Sequence, residues 1–159
     1  MEMILQEPSS KPKQTPMRAP PPRLEDFPVR VGDLIRYGDL DRQGHVNNAV
    51  FSTYFETGRV AIIWDEHEGL QVPGATSVLA RVEIDFLKEL HWPGTVEVGT
   101  AVADIGRSSY VFVQAVYRDG VCAATARSTM VLIDGATRRS RPLPDELIER
   151  LKRRRLRVR

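Results

Sequence analysis

The residues best suited to chemistry lie in one stretch, residues 37–59, with the sequence YGDLDRQGHVNNAVFSTYFETGR. Asp41 precedes a Gly-His turn, and the paired asparagines that follow are typical of a helix start. This order predicts an ionised carboxylate close to the positive end of a helix. Such a site can bind and hydrolyse an activated acyl group.

Asp41 is the predicted catalytic carboxylate. Hydrolysis of an activated acyl group needs a nucleophile or general base and a stabiliser for the developing oxyanion. An ordinary Asp has a pKa of about 3.9, so Asp41 is ionised at neutral pH and can attack the carbonyl or activate water. The alternative is that Asp41 only caps the turn or the helix. Asp39 would point to the opposite face of a continuing strand, and we expect it to be structural.

The backbone at the helix start is the predicted oxyanion site. Free N–H groups of Val46, Asn47 and Asn48, with roughly half a unit of positive charge from the helix dipole, can polarise the carbonyl of an acyl group. Gly44 has no Cβ and would let a ligand approach the backbone. Asn47 or Asn48 is also expected to be the N-cap of the helix.

The surrounding elements are predicted from hydrophobic periodicity. A strand is expected over residues 29–38, and a largely buried helix should then run to about His67. Four strand-like runs follow in an antiparallel meander, and a last helix covers residues 144–155. One long helix after the first strand does not fit alternating βαβ units, so the pattern predicts an α+β fold with a sheet curled around the helix.

Composition divides the chain into three parts. The 159 residues suit one domain, and seven of the eleven prolines fall in residues 1–28. We therefore predict a disordered Pro-rich leader over residues 1–26, a catalytic domain over 27–142, and a C-terminal helix with a basic tail over 143–159. The tail could bind nucleic acid, but such runs more often continue a helix as a solvated end, so a nucleic-acid partner is not expected.

The stretch over residues 37–59 resembles the signature of the 4-hydroxybenzoyl-CoA thioesterase-like branch of the hotdog-fold superfamily. That signature is D-x-D-x-x-G-H-V-N-N followed by Y/F-x-x-Y-x-E-x-x-R. The resemblance extends more loosely over residues 29–134. It implies a hotdog fold, a five-stranded antiparallel sheet wrapped around a long central helix, and hydrolysis of acyl-CoA or acyl-carrier-protein thioesters. It also implies a homodimer, which pairs into a tetramer in many members.

The resemblance assigns further roles. Asp41 matches the catalytic aspartate of the family. In the similar plant acyl-carrier-protein thioesterases, a His and an Asn two residues before it are candidate partners of that aspartate. Here His45 matches the His, whereas Gln43 replaces the Asn. The family's CoA-contacting loops make three residues of a turn between strands candidate CoA ligands: Arg107, Ser108 and Ser109.

Glu56 is the competing catalytic acid, because another hotdog branch places its acidic residue on the central helix. Its spacing from the Gly-His turn does not match that branch. An ion pair with Arg59 at i, i+3 is the simpler explanation for both residues.

Other chemistries are not supported by the sequence. There is no G-x-S-x-G elbow and no glycine-rich phosphate loop, and the three histidines lack metal-ligand spacing, so neither a metal nor a cofactor other than substrate coenzyme A is expected. Cys122 is the lone cysteine and no apolar run approaches the roughly 18 residues of a membrane span. A cytoplasmic location without membrane contact is predicted.

The sequence thus predicts a cytoplasmic acyl-CoA thioesterase that acts through Asp41. Two alternatives stay open. The first is an acyl-carrier-protein thioesterase, and the second is a non-catalytic acyl-CoA-binding module. The acyl chain is not specified by any motif.

Overall fold

A single antiparallel sheet and two helices make up the described part of the chain. The computed structural model describes residues 20–157. The strands are β1 (Val29–Ile35), β2 (Ala75–Phe86), β3 (Gly94–Ile105), β4 (Ser109–Arg118) and β5 (Val121–Asp134), and the helices are α1 (Asn48–Ile63) and α2 (Asp145–Arg153). The predicted α+β fold class, with five antiparallel strands and a central helix, is confirmed.

The strand order is β1-β3-β4-β5-β2. β3, β4 and β5 follow one another as hairpins, whereas β2 pairs with β5 from Ala75 opposite Asp134 to Phe86 opposite Ala124. The prediction that β2 begins a four-strand meander is therefore wrong. Local alternation identifies a segment as a strand, but long-range packing decides which edge of the sheet it occupies.

Helix α1 lies on the sheet through one apolar stripe. Phe51, Tyr54, Phe55 and Ile62 are each at most 2% exposed, and their spacing of three, four and seven residues keeps them on one face. Gly58 lies in the same stripe, where a Cβ atom would come within 2.5 Å of Thr100 Oγ1 on β3. The absence of a side chain at Gly58 therefore permits the close approach of helix and sheet.

The end of α1 was mispredicted. The helix ends at Ile63 and not at about His67. Asp65 Oδ1 accepts the backbone N–H groups of His67 at 3.0 Å and Glu68 at 2.8 Å, a local turn that competes with further helix. The Glu68 amide, followed by the His67 amide, lowers the pKa of the Asp65 carboxyl.

The described part of the basic tail is attached to the domain, although Lys152, Arg153, Arg155 and Arg157 are exposed. Arg154 pairs with Asp65 at 3.3 Å, and Arg153 pairs with Glu68 at 3.2 Å. Arg154 also accepts, through its carbonyl oxygen, the backbone N–H of Val102 in β3 at 2.8 Å. These contacts fix the loop after α1 against α2.

Part of the predicted leader has a defined structure. Residues 1–19 lie outside the described residues, but Leu24–Asp26 forms a single 3-10 turn. The hydroxyl of Tyr117 donates a hydrogen bond to the carbonyl oxygen of Pro22. The carbonyl oxygen of Asp26 accepts a hydrogen bond of 2.9 Å from the backbone N–H of Arg157. The predicted leader boundary at residue 26 therefore falls inside a segment attached to the sheet.

Candidate active site

The chemistry-bearing residues lie on a tight loop, residues 40–46, here called the Asp41 loop. Its ends, Leu40 and Val46, form an antiparallel bridge. Within the loop, the Asp41 N–H donates to the His45 carbonyl oxygen at 2.9 Å, and the Gly44 N–H donates to the Asp41 carbonyl oxygen at 3.0 Å. Gly44 has a φ of 85°, a conformation that strongly favours glycine. The backbone thus brings positions 41 and 45 opposite each other.

Asp39 does not lie on a continuation of β1. The strand ends at Ile35, and Tyr37–Asp39 forms a 3-10 turn, so the expected alternation of Asp39 and Asp41 along one strand is wrong. Asp39 Oδ2 accepts the Arg36 N–H at 2.8 Å and the Tyr54 hydroxyl at 3.3 Å. Burial, followed by the charge of Asp39, raises the pKa of Tyr54. These contacts agree with the predicted structural role of Asp39.

Asp41 and His45 face each other as a pair. Asp41 Oδ2 lies 3.3 Å from His45 Nδ1, and the two side chains are 25% and 21% exposed. The other oxygen, Asp41 Oδ1, accepts the backbone N–H of Gln43 at 2.8 Å. Gln43 thus contacts Asp41 through its main chain, and its side chain is exposed. With Nδ1 directed at the carboxylate, the ring orientation leaves His45 Nε2 for another partner.

Two of the three predicted oxyanion donors are already engaged. The Val46 N–H donates to the Leu90 carbonyl oxygen at 2.8 Å, and the Asn47 N–H donates to the Asp39 carbonyl oxygen at 2.9 Å. The prediction that these two amides are free is wrong. Within residues 20–157, the Asn48 N–H has no hydrogen-bond acceptor. A single amide of the predicted trio is therefore available to polarise a carbonyl.

Asn47 is the N-cap of α1, one of the two residues predicted for that position. Its Oδ1 accepts the Ala49 N–H at 2.9 Å, which satisfies a donor of the first helical turn. Asn48 is then the first residue of the helix. Its side chain is exposed beside His45 and contributes to the wall of a cavity.

A cavity of about 260 Å³ opens at the start of α1. We call it the entry cavity, and it is bordered by His45, Val46, Asn48, Phe51 and the residues 86–89. The Phe51 and Phe86 rings meet edge to face, with centroids 5.2 Å apart. The entry cavity therefore offers apolar walls beside the Asp41–His45 pair.

His91 was not among the predicted site residues, but it reaches the Asp41 loop. Its Nδ1 lies 3.3 Å from the Gly44 carbonyl oxygen, and its ring centroid is 6.4 Å from that of His45. His91 is far from the Asp41 loop along the chain, so no sequence pattern predicted this contact. The contact forms because the connection between β2 and β3 folds back onto the Asp41 loop.

A second cavity of about 610 Å³, here called the inner cavity, lies further along α1. Arg59 is buried in its wall, and Arg59 Nη1 donates to Gln114 Oε1 at 3.4 Å and to Ser128 Oγ at 3.2 Å. Burial lowers the pKa of Arg59, and the nearby charge of Glu56 opposes this effect. Among the described residues Glu56 and Arg59 form no ion pair within 4.0 Å, so their predicted pairing is wrong.

The predicted CoA contacts are not brought to this site within one chain. Arg107, Ser108 and Ser109 lie at the turn between β3 and β4, where the Ser108 carbonyl oxygen accepts the Leu132 N–H at 2.9 Å. The Asp41 loop lies near the other end of β3, about 36 Å away at a rise of roughly 3.3 Å per residue. Their contact with CoA stays a prediction.

Neither a metal site nor a membrane-spanning helix is found along residues 20–157. That part of the chain contains no cluster of three or more His, Cys, Asp or Glu side chains arranged to hold a metal ion. Neither of its two helices combines the length and apolar character that a bilayer crossing requires.

Comparison with known proteins identifies the family. Residues 35–151 match the family model of the thioesterase-like superfamily. The chain belongs to this superfamily. The prediction of a thioester hydrolase is thereby confirmed at the level of the family, as is the resemblance that the signature over residues 37–59 indicated.

Individual relatives support the same family and fold. A thioesterase from Thermus thermophilus, solved with coenzyme A and zinc, is 36% identical, with a TM-score of 0.70 over 81% of this chain and 95% of that one. YneP of Bacillus subtilis, whose name assigns it provisionally as an acyl-CoA thioesterase, is 27% identical over 63% of this chain and 75% of its own length. The PA5185 protein of Pseudomonas aeruginosa PAO1 is 24% identical, with a TM-score of 0.77 over 88% of this chain and 100% of that one, and shares the fold. The hotdog architecture predicted from the sequence is confirmed.

Proposed function

We propose that the chain hydrolyses acyl-CoA thioesters and that Asp41 acts as the general base or nucleophile. The observation that carries this proposal is the Asp41–His45 pair, with Oδ2 and Nδ1 3.3 Å apart, at the rim of the entry cavity and next to the start of α1. The Thermus thermophilus relative with bound coenzyme A supports the choice of a CoA thioester. Coenzyme A enters as part of the substrate, and no step requires another cofactor.

The proposed chemistry uses groups already described. The thioester carbonyl oxygen accepts a hydrogen bond from the Asn48 amide, where the helix dipole favours negative charge. As a base, Asp41 removes a proton from water, and the resulting hydroxide adds to the carbonyl carbon. The C–S bond then breaks, and the CoA thiolate takes up a proton. As a nucleophile, Asp41 instead adds to the carbonyl carbon, the C–S bond breaks with release of the CoA thiolate, and water hydrolyses the resulting acyl anhydride to the free acid and the Asp41 carboxylate.

His45 and Gln43 position the carboxylate in this proposal. The Gln43 amide holds Oδ1 at 2.8 Å, and His45 Nδ1 faces Oδ2. With both oxygens contacted, Asp41 keeps one orientation beside His45, which lines the entry cavity. We propose that this orientation, and not a direct contact of Gln43 with the substrate, explains the tolerance of Gln at a position where similar enzymes have Asn.

We also propose that the protein acts as a cytoplasmic homodimer. β2 is an edge strand that pairs on one side with β5, and it exposes Leu79, Val82 and Phe86 at 39–48%. An exposed, partly apolar edge is a natural template for pairing with a second copy. In such a dimer, the predicted CoA contacts of residues 107–109 would serve a substrate bound across the interface. Assembly of dimers into a tetramer is part of the same proposal.

The test is thiol release from a panel of acyl-CoAs by wild type and by Asp41→Asn. Asn retains an oxygen that can accept the Gln43 amide, so the loop is preserved while the charge is lost. We expect kcat to fall by about 10²–10⁴, the usual contribution of a general base. Asp39→Asn is the matched control, because Asp39 caps a turn and contacts Tyr54 outside the cavity. Its kcat is expected to stay close to that of wild type.

Two results would contradict the proposal. If purified wild type released no thiol from any acyl-CoA, acyl-CoA hydrolysis would be excluded. If Asp41→Asn kept most of the activity, Asp41 would lose its role and Glu56 would become the candidate acid. Running carrier-protein thioesters in parallel separates the two substrate carriers, since faster turnover on them would favour the acyl-carrier-protein alternative.

A further inference from the structure

Arg59 is a buried cation whose hydrogen-bond partners are all neutral. It is 7% exposed, and its two recorded hydrogen bonds, to Gln114 and Ser128, both use Nη1. Gln114 is itself held in place, since its Nε2 donates to the Phe55 carbonyl oxygen at 2.8 Å and to Thr100 Oγ1 at 3.0 Å. The network orients the guanidinium but supplies no negative charge to it.

Most of the donors of Arg59 are unused. A guanidinium has five N–H groups, and only the two on Nη1 are engaged here. Within residues 20–157, Arg59 Nε and Nη2 have no hydrogen-bond acceptor. Neither atom is among the side-chain atoms of these residues that are both fully buried and without a partner, which are the Nε atoms of Arg150 and Arg154. The free edge of Arg59 is therefore accessible, and the accessible space beside it is the inner cavity.

The inner cavity is otherwise mainly apolar. Its wall includes Val60, Ile63 and Leu70. Among residues 20–157, Glu56 is the one other charged residue that lines it. Glu56 is exposed and lies beyond ion-pair distance of Arg59, so water screens its charge far more than that of the buried guanidinium. The part of the inner cavity beside Arg59 is therefore electropositive.

Both cavities are lined by residues of α1 and β2, and the space between these two elements is here called the groove. Phe51 and Phe86 border the entry cavity, whereas Ile63 and Ala75 border the inner cavity, so helix and strand run in opposite directions along the groove. The guanidinium lies level with Phe55, because Gln114 contacts both. From Asn48 to that level is about 10 Å at 1.5 Å per residue, the length of a medium acyl chain.

We propose that Arg59 binds a carboxylate at the far end of the acyl group, so that the preferred substrates are CoA monothioesters of dicarboxylic acids. The inference rests on the proposed thioesterase function. A planar guanidinium edge matches the two oxygens of a carboxylate, and a charged, desolvated pair of this kind is stronger than a neutral contact. The thioester would lie at the entry cavity, and the methylene chain would extend from there past Phe51 and Phe86 toward Arg59.

The test compares matched substrates on wild type. Acyl-CoAs of six, eight and ten carbons are each prepared with a terminal methyl group and with a terminal carboxylate, and thiol release gives kcat/KM for each pair. At the length that spans the groove, we expect the carboxylate substrate to be favoured at least about tenfold, the effect of one charge-assisted hydrogen bond.

Variants assign that preference to Arg59. Arg59→Met keeps a long side chain without charge, and the ratio of carboxylate to methyl kcat/KM should fall to one or below, because an unpaired carboxylate is disfavoured in an apolar cavity. Arg59→Lys keeps the charge without the planar fork and should give an intermediate ratio. Glu56→Gln is the matched control in the same cavity wall, and it should leave the ratio unchanged or raise it.

The outcomes separate this inference from the proposed function. Hydrolysis of neither series by wild type overturns both. Hydrolysis of both series without a preference at any length overturns the carboxylate site and leaves the thioesterase proposal intact. An unchanged ratio in a folded Arg59→Met also overturns the site. If Arg59→Met does not fold, two other results test the carboxylate site: the kcat/KM ratio in Arg59→Lys and the kcat/KM ratios of the wild type at the three chain lengths.

Discussion

Replacing Gly58 with Ala sets two opposing effects against each other. In an isolated helix, Ala is more favourable than Gly by about 0.8–1.0 kcal/mol. In this protein, however, the new Cβ would lie 2.5 Å from Thr100 Oγ1, 2.8 Å from Val98 Cγ1 and 2.9 Å from Gln114 Nε2. None of these atoms can move freely, because all three side chains belong to the buried contact between α1 and the sheet.

The magnitude follows from the contacts that must be displaced. Overpacking of a core typically costs about 1–3 kcal/mol. Each hydrogen bond that Gln114 Nε2 loses, to Phe55 or to Thr100, costs about 0.5–1.5 kcal/mol. After subtraction of the helix-propensity gain, Gly58→Ala should be destabilised by about 2 kcal/mol. This corresponds to a Tm lower by about 4–8 °C for a domain of this size.

The assay is urea unfolding at equal protein concentration, since self-association would make stability concentration-dependent. Gly38→Ala is the matched control, because nothing lies within 4 Å of its ideal Cβ position. It should change the free energy of unfolding by less than about 0.5 kcal/mol. A Gly58→Ala variant that is more stable than wild type by about 1 kcal/mol would show that helix propensity decides, and would refute the packing argument.

Two further predictions concern the turn after α1 and the Asp41 loop. The pKa of Asp65 is lowered in the folded state, so its contribution to stability is present above the unfolded value of about 3.9 and is lost as the pH falls further. Asp65→Asn should therefore reduce the acid sensitivity of the unfolding free energy between about pH 5 and pH 2; an unchanged acid profile would contradict this cause. Gly44→Ala and Gly120→Ala both place Ala at positive φ, 85° and 75°, with open space around the Cβ, so each should lose about 1 kcal/mol of stability. Only Gly44→Ala should also lower kcat, because it distorts the loop that carries Asp41; equal kcat values in the two variants would argue against that role of the loop.

Sequence patterns were sufficient where the structure is determined locally. The N-cap, the apolar stripe of α1 and the strand segments depend on residues within a few positions of one another, and they were predicted. The Asp41–His45 pair is also local, because a four-residue turn closed by Gly44 brings the two side chains together.

Patterns were insufficient where distant segments meet. The amide of Val46 is engaged by Leu90, and His91 approaches Gly44, because the connection between β2 and β3 returns to the loop. Arg59 turns toward Gln114 on β4 and away from Glu56. In each case the partner is a residue far away along the chain. Hydrophobic periodicity describes only neighbouring residues and therefore does not predict such partners.

The hydrogen bond between Arg157 and Asp26 has a consequence for protein engineering. It holds Asp26, shortly before β1, beside Arg157, so in a chain shortened to begin at residue 26 a short linker could join these two points without altering any strand pairing. New ends could then be opened at the tight turn of Asp119 and Gly120 between β4 and β5. In such a circular permutant, β5 would precede β1 along the chain, and the long-range pairing of β2 with β5 would form in the opposite chain order.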